Sequence, residues 1–160
     1  MTTVGYDLSM PEAGWKRIEE NDPAISWSSG WVNNALWIYS GSKCRATAMK
    51  NAYAQFNFSG TKLRIIGGEN NTQYAPECEI IIDGIPYIFS NYSSFATYSF
   101  LCFEILGLED KEHSVKIVHS LSPDYYILLD AIDIDSTGQI LPYHSASDNK
   151  NTCQLSYSGL

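Results

Sequence analysis

Apolar and polar residues alternate with a period of two along much of the chain. Ala52, Ala54, Phe56 and Phe58 fall on one face, and Tyr53, Gln55 and Asn57 fall on the other. This is the pattern of a strand with one buried side. Ser59-Gly60-Thr61 marks a turn, and Lys62 to Ile66 alternates again, with Leu63 and Ile65 inward and Arg64 outward. Cys78 to Ile82, Asp83-Gly84 and Ile85 to Tyr87 predict a hairpin, because Asp-Gly supplies the positive φ angles of a type I′ turn. Further strands are expected at Trp15–Ile18, Tyr98–Leu106, His113–His119 and Tyr125–Leu129, the last continuing through Asp130–Asp135. The stretch holding Ile25, Trp27, Trp31, Trp37 and Tyr39 reads equally as short strands or as long loops. No helical period of 3.6 stands out. Many short strands divided by turns predict an all-β sandwich or jelly roll.

Composition narrows the function classes. The 160 residues fit one domain, with 44% hydrophobic and only 18% charged residues, which argues against disorder. A net charge of −8 disfavours nucleic acid and anionic membrane surfaces, and leaves neutral sugars and cations as partners. No apolar run approaches the length of a membrane span, and no signal peptide is visible at the N-terminus. Cys44, Cys78, Cys102 and Cys153 form no Cys-x-x-Cys pair, so zinc is not expected, and Cys102 reads as a buried thiol. Beyond Ser136 the chain turns polar, and residues 144–160 read as a tail or linker stub.

Several segments together resemble a known family. Gly14-Trp15-Lys16-Arg17-Ile18, the run from Phe56 to Gly67, Ile81-Ile82-Asp83-Gly84, Phe103 to Leu108, His113 to Ile117 and Leu129 to Ile134 look like galactose-binding-like β-sandwich domains. The likeness spans 4–143 and is closest to carbohydrate-binding modules in tail-associated and surface proteins of Gram-positive bacteria and their phages. It implies a jelly-roll sandwich that holds a cell-wall or surface glycan without catalysis, beside other domains in a longer chain. An extracellular or virion-associated setting follows, and an assembly module that binds protein is the alternative. The resemblance also implies a structural calcium near a late-strand aspartate, Asp130, and an acidic early turn at Glu20 or Asp22. A hydrogen-bonded structural role for Asp130 stands beside that.

Sugar sites combine a flat aromatic face with fixed polar groups. Trp31, Trp37 and Tyr39 lie near Asn33 and Asn34; Tyr74 follows Asn71; Tyr92 follows Asn91; Tyr125 and Tyr126 follow Asp124. Trp37 and Tyr74 lead these candidates. Each of them also fits an ordinary core or surface role, and Trp15 and Trp27 read as core. Arg64 offers a fork of donors to hydroxyls or a carboxylate, or else pairs with a nearby acid on the sheet surface. The Asn-x-Ser/Thr triplets at Asn57, Asn70 and Asn91 are read as coincidental. No hydrolase, metalloprotease, phosphate-loop or dinucleotide motif is present. Asp130 is expected on the face opposite Asp133 and Asp135 if their strand is regular.

Overall fold

A computed structural model describes residues 1–34 and 39–145. Among the described residues, twelve strands form two six-stranded sheets whose inner faces enclose the core. In the first sheet β3 (Val32–Asn34), β4 (Cys44–Thr47), β11 (Ile127–Asp135), β6 (Leu63–Glu69) and β9 (Tyr98–Ile105) lie in that order, and β1 (Trp15–Glu19) pairs with β11. In the second, β12 (Gln139–Leu141), β5 (Tyr53–Gly60), β10 (Lys111–Val118), β7 (Cys78–Ile82) and β8 (Ile85–Phe89) follow one another, and β2 (Ser26–Trp27) pairs with β5. All these pairings are antiparallel.

The period-two segments become strands because their apolar sides meet across the sandwich. Ala54, Phe56 and Phe58 of β5, Leu63 and Ile65 of β6, and Val115 and Ile117 of β10 share one core. The β7–β8 hairpin closes with Ile82 opposite Ile85, and Asp83 and Gly84 take φ of 52° and 82°, as a type I′ turn requires. Cys44, Cys78 and Cys102 are buried free thiols. Two strands carry no legible signal. Cys44–Thr47 and Gln139–Leu141 are too short for a period, and pairing with β11 and β5 defines them.

An irregularity in β11 overturns one expectation. Leu129 and Ile132 both enter the core, and the register with β6 shifts between Leu129 and Ala131. The extra residue brings Asp130 to the outer side of the sheet, where it meets Ser40, while Asp133 meets Arg17 there. Asp130 and Asp133 therefore share a face, as a bulge allows and a regular strand forbids.

Candidate functional site

β4, β11, β6 and β9 are antiparallel neighbours, so the end of β4, the start of β11, the end of β6 and the start of β9 lie at one end of the sheet. The loops at this end build a cleft of about 390 Å³. A volume of that size holds a small polar ligand. Ala46, Thr47 and Ala48 line it from β4 and the residue beyond, and Tyr74 and Tyr126 stand on the loops. Their rings lie 6.2 Å apart, inclined by 46°. The two loops are zipped together: the Tyr126 amide donates to the Gln73 carbonyl at 2.9 Å, and the Ala75 amide to the Tyr126 carbonyl at 2.8 Å. Opposite, Gly30 and Val32 complete the lining. The Thr47 hydroxyl donates to the Gly30 carbonyl and accepts from the Met49 amide, tying the wall to the strand end. Position 30 favours glycine, since φ is +97° and a Cβ would lie 2.7 Å from the Met49 sulfur, which would have to shift.

Polar groups border this surface. Asn71 accepts the Gln73 amide at 2.9 Å through its side-chain oxygen, which leaves its N–H groups as donors. Burial of Tyr74, reinforced by the Glu69 carboxylate that its hydroxyl meets, holds that hydroxyl above the ordinary phenol range, so it stays protonated. Among the described residues lining the cleft there is no charged side chain and no histidine or cysteine.

The structure brings Asn71 and Tyr74 together and sends the other sequence candidates among the described residues elsewhere. Tyr39 is buried, with its hydroxyl on Glu69 at 3.0 Å, so its ring offers no open face. Trp31 is half-buried, donates its indole N–H to the Tyr53 carbonyl at 3.1 Å and meets Trp27 edge-on. Tyr125 packs against the core, and Tyr92 lines a separate depression. Trp37 lies outside the described residues. Tyr126, adjacent to Tyr125, is the aromatic that faces out. The phase of β11 carries that signal, because inward Ile127 and Leu129 put Tyr125 inside and Tyr126 outside.

Arg64 corrects the sequence reading in a different way. It points away from the core, yet it is fully buried. Its guanidinium lies 4.2 Å over the Trp15 ring and pairs with Glu104 at 2.7 Å and Glu12 at 2.6 Å. Trp15, expected in the core, is instead the cover over this cation. A guanidinium enclosed in this way is a structural pin.

The two proposed metal ligands stand apart in role. Asp22 accepts the Ala24 amide of its own turn at 2.9 Å. Asp130 is buried and accepts the Ser40 amide at 2.9 Å, while the Ser40 hydroxyl donates to Glu19 at 2.6 Å. Asp130 Oδ1 and Glu19 Oε2 are buried without a hydrogen bond of good geometry. Burial lifts the Asp130 carboxyl to about 6; the Ser99 hydroxyl and the Ser40 amide temper the rise, and the Glu19 charge adds to it. Glu19 Oε2 and Asp130 Oδ1, the latter with the Ser99 hydroxyl beside it, are oxygens of the kind a hard cation takes. Among the described residues no three histidines, cysteines or acids gather as a metal group.

No family model matches the chain. It is 26% identical over 108 residues to an A type blood alpha-D-galactosamine galactosaminidase of Flavonifractor plautii, which covers 68% of this chain and 10% of that protein. The chain thus spans about a tenth of this curated relative. Among solved structures, the family 35 carbohydrate-binding module (CBM35) of Cellvibrio japonicus Abf62 superposes with a TM-score of 0.62 at 14% identity, over 81% of this chain and 99% of the module. A further CBM35, Xyl-CBM35 in complex with a disaccharide containing glucuronic acid, gives 0.61 at 15% identity over 80% and 99%. At such identities the likeness establishes the fold alone, a jelly-roll β-sandwich. The fold is not confined to glycan-binding modules. A salicylyl-acyltransferase from a tetracycline biosynthetic pathway also superposes, with a TM-score of 0.59 at 8% identity over 84% of this chain and 43% of that chain. None of these proteins supports a phage-tail setting.

Proposed function

We propose that this chain is a non-catalytic carbohydrate-binding module that holds a neutral sugar in the Tyr74–Tyr126 cleft. The observation that carries the reading is the pairing of two inclined tyrosine rings with the Asn71 amide over a floor of small side chains. Sugar C–H faces stack on aromatic rings while hydroxyls take fixed donors and acceptors. The uncharged lining favours neutral or N-acetylated pyranosides over uronic acids, whose carboxylate would find no cation there. The ligand of the Xyl-CBM35 structure contains glucuronic acid, so specificity is expected to differ. The described residues of this lining offer no general acid or base, in keeping with a reading of binding without turnover.

A structural calcium belongs to this proposal. Glu19 and Asp130, bridged by Ser40, carry the oxygens it would take, and Asp22 keeps its turn. The expected setting is outside the cell, beside other domains, as the match to a tenth of the galactosaminidase suggests.

Calorimetry with galactose, N-acetylgalactosamine, xylose and glucuronic acid tests the reading. Saturable binding of a neutral sugar, weakened roughly tenfold by Tyr126→Ala or Asn71→Ala, supports it. Silence across these sugars and a broad glycan array overturns it.

A further inference from the structure

The end of the sheet that carries the cleft also carries a second depression, of about 310 Å³, at the opposite edge. Tyr92, Phe95 and Val4 border it, with Ser93 and Ser94 between them. Beside it Tyr6 and Phe95 stack at 5.4 Å with their planes 17° apart, although Phe95 is 70% and Tyr6 47% exposed. An exposed aromatic pair of this kind usually reflects either a mobile loop or a contact surface.

These loops are pinned. The Ser93 hydroxyl donates to the Gly5 carbonyl and accepts the Phe95 amide, binding the two segments together. The Asp7 carboxylate accepts both the amide and the hydroxyl of Thr97 on the other flank. The Gly5 amide and the Tyr6 carbonyl are fixed to Leu101 of β9. A backbone held in this way lowers the ordering cost of meeting a ligand.

We propose that Tyr6 and Phe95 form a second sugar-contacting subsite, so that the ligand is a glycan chain rather than a single residue. The inference rests on the Tyr74–Tyr126 reading and extends it. Three inter-strand spacings separate β4 from β9, about 14 Å at about 4.8 Å each, more than one pyranose ring covers. Backbone pairing joins the segments between the two depressions. The Asn70 amide donates to Thr97, the Asn91 amide donates to Ala75, and Tyr92 pairs with Glu69 at the midpoint. Aromatic faces interspersed with serine hydroxyls, with no charge in either lining, match a neutral oligosaccharide better than an apolar peptide.

The test is calorimetry of the full chain with xylose, galactose and glucose and with xylohexaose, galactohexaose and cellohexaose. For a sugar type that binds, the hexasaccharide is expected to bind at least roughly tenfold tighter than its monosaccharide. Phe95→Ala and Tyr6→Ala bring that ratio toward one, whereas Tyr126→Ala lowers both affinities. Thermal melts verify that these surface variants fold. A wild-type ratio that survives both substitutions overturns the second subsite and leaves the first cleft standing. Self-association in light scattering that Phe95→Ala abolishes, with glycan affinities unmoved, overturns it in favour of a protein contact. If none of the six sugars and no member of a broad glycan array binds, the single-cleft reading fails and takes the extension with it.

Discussion

Asp130→Asn isolates the cost of an ionised carboxylate held under the outer face of the sheet. In the folded chain burial lifts this carboxyl from its ordinary 3.8 to about 6, against the Ser99 hydroxyl and the Ser40 amide and with help from Glu19. An acid whose value rises on folding binds its proton more tightly in the native state than in the unfolded one. Its contribution to stability is complete below about 3.8 and drains away as pH climbs through about 6. At 1.36 kcal/mol per pKa unit, the loss approaches about 3 kcal/mol by neutral pH. Asparagine cannot ionise, and its side-chain oxygen still accepts the Ser40 amide. Urea denaturation of both proteins with chelator present, from about pH 4 to about pH 8, supplies the measurement. The stabilities should coincide near the acid end and separate until the variant leads by about 3 kcal/mol. Parallel profiles across the range would refute the assignment. Adding calcium near neutral pH is expected to stabilise the wild type and leave the variant unmoved, because the proposed cation would use the charge that the variant lacks.

Other perturbations probe separate links. Arg64→Met removes the buried guanidinium that Glu104 and Glu12 share, both of them partly exposed, and should cost about 1–3 kcal/mol in urea denaturation through the lost charge-assisted hydrogen bonds. Asn91→Ala should cost about 2–4 kcal/mol, because the Asn91 side chain satisfies both the amide and the carbonyl of Leu128 where no strand does. Gly30→Ala, strained at φ +97° and colliding with Met49, should cost about 1–2 kcal/mol in thermal melts and weaken sugar binding in calorimetry.

The sequence made the two-layered body legible because the partners of a period-two strand need not be known to tell its inner face. Phe56, Phe58, Leu63, Ile65, Val115 and Ile117 all reach the core in the expected phase. The Asp83-Gly84 turn was equally readable, since its backbone angles are a local property of those two residues. The site was only half legible. Asn71 and Tyr74 stand out as an aromatic beside an amide in a loop, but β11 alone decides that Tyr126, and not Tyr125, turns toward them.

Tertiary structure decided the rest. Alternation sends Arg64 outward, yet whether outward means solvent depends on Trp15, Glu12 and Glu104 arriving from distant parts of the chain. The bulge at Asp130 reverses a face assignment through one extra residue that no local pattern announces. Tyr6 and Phe95, far apart in sequence, become one platform only because residues 5–7 pair alongside β9. Burial and pairing of a single side chain depend on what covers it, and covering is set by long-range packing, whereas strand phase and turn type are set by neighbours along the backbone.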